Sequence, residues 1–413
     1  MVVPYSNTAA LMRILEQIVL VAQQDNDPDI SLLSGRGGHL LLYAYLSEYL
    51  DKPELLDDAV ETLNYCLEHV GTHQDSMPQL YTYSNGIVGL AWAVQHLIRQ
   101  KMLPEDASEI LDGIDEHLLT FLEHDITRNN FDPLHGYVGK GAYFIERYPA
   151  QIALQGLERI VSELAATAKK FKDYLGWGTF DADSRPGEIR CNCGLAHGSA
   201  GIISFLCQVY ALGLCQDQVR DLLEGAVRGL FYYCASNETT DYIFPDFLLE
   251  YPASEHTIMI RTTRLGWCYG DLSTGKAILQ AARILDKPEW IEQVRAVVLH
   301  HCNKLPDKTN IFSNQDAGVI DTTFCHGVMG IAYLFQLLGQ ELGDLAIKQA
   351  AEQWLQMGIT EVEQRLQNGD LRSVYNGKLQ DSGILNGYAG IAMVLMSSTK
   401  PGIQAWGRCL FLY

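Results

Sequence analysis

A cysteine and a histidine stand side by side before a glycine in the segment FCHGVMG, residues 324–330. Thiolates and imidazoles are ligands that zinc prefers in proteins. Adjacent side chains of a regular helix or strand point in different directions, so Cys325 and His326 can share one ion only on an irregular turn, which Gly327 permits. Taken alone, the segment is only a weak indication of a metal site, because a buried cysteine that merely adjoins a surface histidine would have the same local sequence.

Chemically active side chains also precede glycines in three other segments. These are RLGWCYGDLSTG (264–275) with Arg264, Cys268 and Tyr269, CNCGLAHGSAG (191–201) with His197, and FDPLHGYVG (131–139) with Asp132 and His135. If Cys268, Cys325 and His326 converged on one zinc ion, a fourth position would stay open. Catalytic zinc sites keep such a position, whereas structural sites are usually closed.

Seven glycine turns recur along the chain, each followed by an apolar run; six have the form Gly-x-x-Gly, and the fifth is GDLSTG (270–275). Their leading glycines are Gly35, Gly86, Gly136, Gly198, Gly270, Gly327 and Gly387. The runs after these glycines are apolar nearly all round, which is typical of helices buried on both sides.

A more polar helical pattern lies in each interval between turns, with apolar residues at steps of three and four. These patterns cover 53–70, 110–126, 152–171, 219–234, 288–302 and 345–359. The sequence therefore predicts an all-α fold, an (α/α)7 toroid of seven helical hairpins in a single domain, 1–413. An open solenoid is the alternative, but it would expose apolar faces at both ends. In a closed ring every turn points the same way, so the residues beside the glycines gather at one end.

A second group of possible zinc ligands is Cys191, Cys193 and His197. One residue between two cysteines fits the usual spacing of two to four poorly, so we place His197 beside the first zinc group instead. Asp132 is equally consistent with an N-cap. Arg264 and Tyr269 are equally consistent with ordinary packing at the rim.

The composition argues against several classes of function. The formal net charge is −20, from 30 basic and 50 acidic residues, and it opposes binding to nucleic acid or anionic lipid. No apolar run approaches the roughly 18 residues of a membrane span. The first residues lack the pattern of a signal peptide, and ten scattered cysteines then indicate reduced thiols. We expect a cytoplasmic protein with no nucleic-acid partner and no stable membrane insertion.

The segments GLAHGSAG, WCYG and CHGVMG, in this order among seven glycine turns, resemble the lanthionine synthetase C-like family, which includes lantibiotic cyclases. The resemblance covers essentially the whole chain and implies an (α/α)7 toroid with one Zn²⁺. The implied ligands are Cys268, Cys325 and His326, and the implied catalytic residues are His197, Asp132, Arg264 and Tyr269. Two features depart from the family pattern. The segment after Cys268 lacks the usual Gly-Pro-Gly-like continuation, and Cys191 and Cys193 are additional thiols.

The activity that the resemblance implies is zinc-dependent formation of (methyl)lanthionine. A cysteine thiol of a precursor peptide would add to dehydroalanine or dehydrobutyrine, and His197 would protonate the resulting enolate. Asp132 would orient His197 or share the proton with it. Arg264 or Tyr269 would stabilise the enolate oxygen. The implied partners are a dehydrated precursor peptide and a separate dehydratase, because no dehydratase domain is visible in the sequence.

Three other functions stay open at this point. The same site would serve the addition of glutathione or another thiol to dehydroamino acids. A non-catalytic, zinc-containing toroid that binds peptides would need a closed set of four protein ligands. Protein prenyltransferases also activate a thiol on a helical toroid, but their zinc set includes a carboxylate and their repeat differs.

Overall fold

The computed structural model describes residues 8–70, 77–171, 174–179, 188–234, 242–251, 256–261, 264–304, 309, 311, 320–368, 371, 373–375, 378–380, 382–400 and 402–413. The first six α-helices are α1 (Thr8–Gln23), α2 (Gly37–Leu50), α3 (Leu55–His69), α4 (Met77–Leu80), α5 (Ile87–Arg99) and α6 (Glu109–Thr127). The next five are α7 (Tyr137–Arg147), α8 (Gln151–Thr167), α9 (Ser199–Ala211), α10 (Gln216–Cys234) and α11 (Asp271–Ile284). The last four are α12 (Pro288–His301), α13 (Val328–Leu342), α14 (Leu345–Gln367) and α15 (Tyr388–Thr399).

The helices that follow the leading glycines form a closed inner wall. They are α2, α5, α7, α9, α11, α13 and α15, and each packs against the next one along the chain. The last of them, α15, packs against α2. The prediction of an all-α toroid is therefore confirmed, and the alternative of an open solenoid is wrong.

The more polar helices pack outside this wall. Six hairpins pair an inner helix with the outer helix that follows it, from α2 with α3 to α13 with α14. The seventh pairs α15 with α1, which comes from the other end of the described chain. Because the outer helices are buried on one side only, each of them carries a one-sided apolar stripe.

Short strands lie between the helical repeats, and the helical pattern did not predict them. They are β1 (Lys169–Phe171), β2 (Tyr174–Gly176), β3 (Gly178–Thr179), β4 (Ile189–Asn192), β5 (Phe247–Tyr251), β6 (His256–Ile260), β7 (Ser373–Tyr375) and β8 (Lys378–Gln380). All pairings are antiparallel: β1 with β2, β7 with β8, and a four-stranded sheet in the order β3-β4-β5-β6.

The end of α8 corrects the pattern that predicted a helix over 152–171. The helix ends at Thr167, and residues 169–171 form β1. Its partner β2 packs on α10. A Cβ at Gly225 of α10 would lie 2.5 Å from Leu175 Cγ, and one at Gly229 would lie 3.1 Å from the carbonyl oxygen of Leu175 and from Tyr174 Cδ2. The two glycines thus leave room for a hairpin on the outer helix, which local helical periodicity does not reveal.

Backbone hydrogen bonds link neighbouring glycine turns around the ring. The N–H groups of Leu33, Ser84, Leu195, Trp267, Cys325 and Leu385 donate, in that order, to the carbonyl oxygens of Ser84, Leu134, Cys268, Cys325, Leu385 and Leu33, over 2.8 to 3.4 Å. Six of the seven junctions are joined in this way. Among the described residues, the junction between the third and fourth turns has no such bond. We call the end of the toroid that carries these turns the turn end.

Residues 402–413 are held in the middle of the ring. The carbonyl oxygen of Cys409 accepts from Tyr83 Oη over 2.8 Å, and that of Leu410 accepts from Trp267 Nε1 over 2.9 Å. The Trp406 ring stacks on Tyr333, with centroids 4.9 Å apart. The inner wall therefore closes around a packed core.

None of the helices in the described ranges combines the length and the apolarity that a bilayer crossing requires.

Candidate active site

Cys268, Cys325 and His326 lie together at the turn end. Their ligand atoms are all within 4.8 Å of one another, and all three residues are buried. Cys325 Sγ lies 3.2 Å from His326 Nε2. Residues that are 57 positions apart in the chain thus meet because the fifth and sixth turns are neighbours in the ring.

The sixth turn is tight enough to bring adjacent side chains to one point. A Cβ at Gly330 would overlap the carbonyl oxygen of Phe324, and one at Gly327 would lie 2.5 Å from the carbonyl oxygen of Asp321. Both neighbouring turns also hold the backbone of Cys325, which donates to Leu385 and accepts from Trp267. The irregular, glycine-dependent turn expected at FCHGVMG is therefore present.

The fifth turn has its own backbone shape. Gly270 has a φ of 136°, in the region that favours glycine over residues with a side chain. It is alone in this among the seven leading glycines, all of which are described. Ser273 stands where the other turns have their second glycine, and its Oγ donates to the carbonyl oxygen of Gly270 over 3.1 Å. This shape accompanies the unusual continuation after Cys268.

The two thiols have pKa values shifted in opposite directions. The hydrogen bond with Cys325, with help from His326, lowers the pKa of Cys268 well below its usual value. The same hydrogen bond, together with burial, raises the pKa of Cys325. The charge of Arg264 favours the thiolate of both cysteines. Within the described part of the chain, Arg264 Nε is buried and has no hydrogen-bond acceptor.

The donor set of this group suits zinc. Two sulfur atoms and one imidazole nitrogen, grouped within 4.8 Å, are soft to borderline ligands of the kind that zinc sites use. Three protein donors leave room for a further ligand. The residues present therefore fit the Zn²⁺ that the sequence led us to expect.

His197 and Asp132 bridge the third and fourth turns, where the backbone bond is missing. Asp132 Oδ1 accepts from the N–H groups of Leu134 and His135, over 2.8 and 2.9 Å. Asp132 Oδ2 lies 2.8 Å from His197 Nδ1. In five other turns the N–H equivalent to that of Leu134 donates to the next turn directly. At this junction the carboxylate of Asp132 accepts the hydrogen bond that a backbone carbonyl oxygen accepts at the others. Its second oxygen then contacts His197 of the next turn.

The pair stabilises its own charges. Burial acts to lower the pKa of His197, but the hydrogen bond and charge of Asp132 outweigh it, so the pKa is raised. The pKa of Asp132 is lowered, because its bond to His197 outweighs burial. His135 stacks beside His197 with centroids 5.7 Å apart, and burial lowers its pKa. The contact with Asp132 therefore favours the protonated form of His197, which can donate a proton.

Tyr269 lies on the other side of His197, with ring centroids 6.5 Å apart. Its hydroxyl accepts from Asn192 Nδ2 over 2.7 Å, and its ring packs on Phe247 at 5.4 Å. Burial and the nearby Cys268 raise the pKa of Tyr269 to about 12, so its hydroxyl keeps its proton. The structure therefore brings all of the predicted site residues to the turn end.

Asn192 and Phe247 contact this site but were not predicted from the sequence. A signal for Asn192 does exist. An Asp or Asn stands six residues before the leading glycine in five turns, at Asp29, Asn130, Asn192, Asp321 and Asp381. Three of them, Asp29, Asn192 and Asp321, accept from the backbone N–H two residues on, which fixes the approach to the turn. Phe247 comes from β5, and no glycine-turn pattern points to it.

The second possible zinc group is not assembled. Cys191 and Cys193 do not join His197 in a group of ligand atoms within 4.8 Å. Cys191 belongs to β4, and the buried thiol of Cys193 is directed back to the carbonyl oxygen of Cys191. Burial raises the pKa of both thiols, which disfavours the thiolate that binds metal.

Comparison with solved structures finds chains that are similar in fold. A nisin cyclase of known structure covers 98% of this chain and 97% of its own, with a TM-score of 0.75 and 17% sequence identity. An unsaturated glucuronyl hydrolase from Streptococcus agalactiae covers 77% of this chain and 82% of its own, with a TM-score of 0.47 and 11% identity. No curated protein sequence matches the chain at a significant level.

The sequence profile of the family described as lanthionine synthetase C-like protein matches residues 26–411. This match runs from before the first glycine turn to the segment in the middle of the ring. The chain belongs to the lanthionine synthetase C-like family.

Proposed function

We propose that this protein is a zinc-dependent cyclase that closes thioether rings in a dehydrated precursor peptide. The observation that carries the proposal is the adjacency of two groups at the turn end. A sulfur and nitrogen donor set lies on the fifth and sixth turns, and the hydrogen-bonded pair His197–Asp132 lies on the third and fourth. Thiol addition to an alkene needs both an ionised sulfur and a proton donor.

The donor set of Cys268, Cys325 and His326 would hold the metal. Zn²⁺, when bound there, would ionise a substrate thiol, which at a pKa of about 8.5 is only about 3% thiolate at pH 7. Complete ionisation would therefore raise the thiolate fraction about thirtyfold, which corresponds to about 2 kcal/mol. The turn end must supply the rest of the rate, and it would do so by holding sulfur and alkene together and by managing the proton.

His197 would deliver the proton that completes the addition. The sulfur forms a bond to the β-carbon of the dehydro residue, the alkene electron pair moves into an enolate, and the α-carbon then takes a proton. Because His197 Nδ1 is bonded to Asp132, Nε2 is the nitrogen left to exchange a proton with the substrate. The raised pKa favours the imidazolium, which is the form that can donate this proton.

Arg264 and Tyr269 would stabilise the enolate oxygen. Tyr269 keeps its hydroxyl proton and stands between the His197 turn and the His326 turn. Arg264 carries a positive charge close to the thiols, and its Nε has no acceptor among the described residues. Donors placed in advance where charge develops contribute most of their effect in the transition state.

The substrate that we propose is a ribosomal precursor peptide already carrying dehydroalanine or dehydrobutyrine from a separate dehydratase. Addition of glutathione or another thiol to a dehydroamino acid is the second candidate, because a donor set on neighbouring turns does not require sulfur and alkene to belong to one chain. We propose that the protein acts in the cytoplasm, where thiols stay reduced.

The test is an incubation with a dehydrated peptide that contains one cysteine, with and without a chelator. Ring closure leaves the peptide mass unchanged but removes its free thiol, so alkylation followed by mass spectrometry measures it. We expect loss of the alkylatable thiol without chelator and its retention with chelator. A parallel incubation with glutathione separates the second candidate, because an intermolecular adduct adds the mass of glutathione. Activity that is unaffected by complete metal removal would contradict the proposal.

A further inference from the structure

A second cluster of metal-ligand side chains lies on the turns next to the thiol group. Asp132, His135 and His197 place one ligand atom each within 4.8 Å of one another. All three are half-buried, whereas the thiol group is buried. This cluster has two imidazoles and one carboxylate but no sulfur.

The cluster is built by the ring itself. His135 and His197 occupy the same position, directly before the leading glycine, on neighbouring turns. Their rings lie almost parallel, with centroids 5.7 Å apart and an interplanar angle of 24°. Asp132 is oriented by two backbone N–H groups on Oδ1, which directs Oδ2 to His197. Ligands fixed by such supporting bonds lose little freedom when they bind an ion.

We propose that Asp132, His135 and His197 form a second, weaker binding site for a divalent transition-metal cation such as Zn²⁺. Two imidazoles and one carboxylate are a ligand set that zinc and its first-row neighbours accept. The cation would replace the proton that joins His197 Nδ1 to Asp132 Oδ2, and that proton would pass to solvent. Binding is weaker than at the thiol group because the ligands are more exposed, no thiolate takes part and an existing hydrogen bond is broken.

Occupation of this second site would inhibit the enzyme. This consequence rests on the proposed function, because it follows from the role of His197 as proton donor. An ion bound to Nδ1 would remove the bond to Asp132 that holds His197 protonated. Zinc would therefore be required at one equivalent and inhibitory in excess.

The test uses Co²⁺ alone, added to metal-free protein and followed by absorption. The first equivalent should give thiolate-to-cobalt charge-transfer bands, because the thiol group binds it. A second equivalent should raise only the weaker d–d bands, since the second site lacks sulfur. His135→Ala should weaken the second binding event at least tenfold and leave the charge-transfer bands unchanged. His117→Ala is the matched control, because His117 is an exposed histidine of α6.

Each outcome of the titration is decisive. Equal affinity for the second equivalent in wild type and in folded His135→Ala overturns the proposal, and so does a second equivalent that adds charge-transfer intensity. If circular dichroism shows that His135→Ala is misfolded, Asp132→Asn replaces it, with the same expected loss of affinity. The titration reads binding without turnover, so it stands even if the proposed cyclase activity fails.

Discussion

His197 Nδ1 lies 2.8 Å from Asp132 Oδ2, at the one junction between glycine turns that has no backbone hydrogen bond among the described residues. Elsewhere in the ring a carbonyl oxygen accepts the bond that joins one turn to the next. Here a carboxylate does so, and its second oxygen raises the pKa of a histidine. The same contact therefore completes the ring and prepares a proton donor.

Asp132→Asn tests the electrostatic half of this relationship. Asparagine keeps an oxygen for the N–H groups of Leu134 and His135, so the turn should survive. The raising effect on the pKa of His197 is lost, and burial then lowers that pKa. His197 as a proton donor is available below its pKa and lost as pH rises through it. We expect the alkaline limb of the pH–rate profile to move to lower pH. An alkaline limb that stays at the wild-type pH would show that this histidine is not the proton donor.

The pair also links stability to pH. The raised pKa of His197 contributes stability that is present below its unfolded pKa near 6.5 and is lost as pH rises through the folded value. The lowered pKa of Asp132 contributes stability that is lost as pH falls through its folded value. Asp132→Asn should thus lower the midpoint of urea unfolding most between about pH 4 and 6.5 and least outside that window.

Tyr269→Phe tests whether the tyrosine hydroxyl stabilises the enolate. Loss of one donor to a developing oxyanion typically lowers the rate about 100-fold or more. We expect a large loss of ring closure with unchanged metal content, because Tyr269 is not among the metal ligands. Tyr210→Phe is the control. Tyr210 lies at the end of α9, and its hydroxyl accepts a hydrogen bond from Arg220, so its loss should not change the rate of ring closure. Equal rates for the two variants would leave Tyr269 as a packing residue.

Gly198→Ala tests the dependence of the turn end on close backbone approach. A Cβ there would overlap the carbonyl oxygen of Asn192. We expect a loss of more than about 2 kcal/mol of unfolding free energy, together with loss of activity. Gly113→Ala is the matched control, because Gly113 lies inside α6 with nothing within 4 Å of an added Cβ. It should stabilise the protein by about 0.5 to 1 kcal/mol, and a similar loss for both glycines would contradict the assignment.

Trp406→Ala tests the packing of residues 402–413 in the middle of the ring. The indole is fully buried, donates to Ser397 Oγ over 2.8 Å and packs on Phe324, next to Cys325. Removing a buried tryptophan side chain typically costs about 3 to 5 kcal/mol. Urea unfolding should show this loss, whereas Leu345→Ala, at a leucine that is 69% exposed, should change stability by less than about 0.5 kcal/mol.

Much of the architecture is readable from local patterns. The all-round apolar runs and one-sided stripes predict inner and outer helices, because each pattern reports how many sides a helix buries. The pairing of α15 with α1 is not local, since it joins distant parts of the chain. The strands are not predicted because they are two to five residues long, too short for a periodic pattern, and because the pairing of β4 with β5 joins two separate intervals.

The residues of the site also divide into those that local sequence patterns reveal and those that only the fold reveals. Cys268, Cys325, His326, His197 and Asp132 are visible as unusual residues before repeated glycines, and ring closure brings them together. Phe247 reaches Tyr269 from β5, so only the sheet reveals it. Cys191 and Cys193 look like ligands by type, but the strand buries their thiols away from His197. The residue type shows which side chains could bind a metal, but only their directions in the fold show whether they can bind the same ion.

The most direct test of the account is metal content and ring closure measured together after exhaustive dialysis. The samples are wild type, Cys268→Ala and, as the matched cysteine control, Cys193→Ala. We predict one tightly held Zn²⁺ and full thiol consumption for wild type and Cys193→Ala, and neither for Cys268→Ala. Zinc retained at one equivalent by folded Cys268→Ala, or ring closure at the wild-type rate without it, would contradict the account.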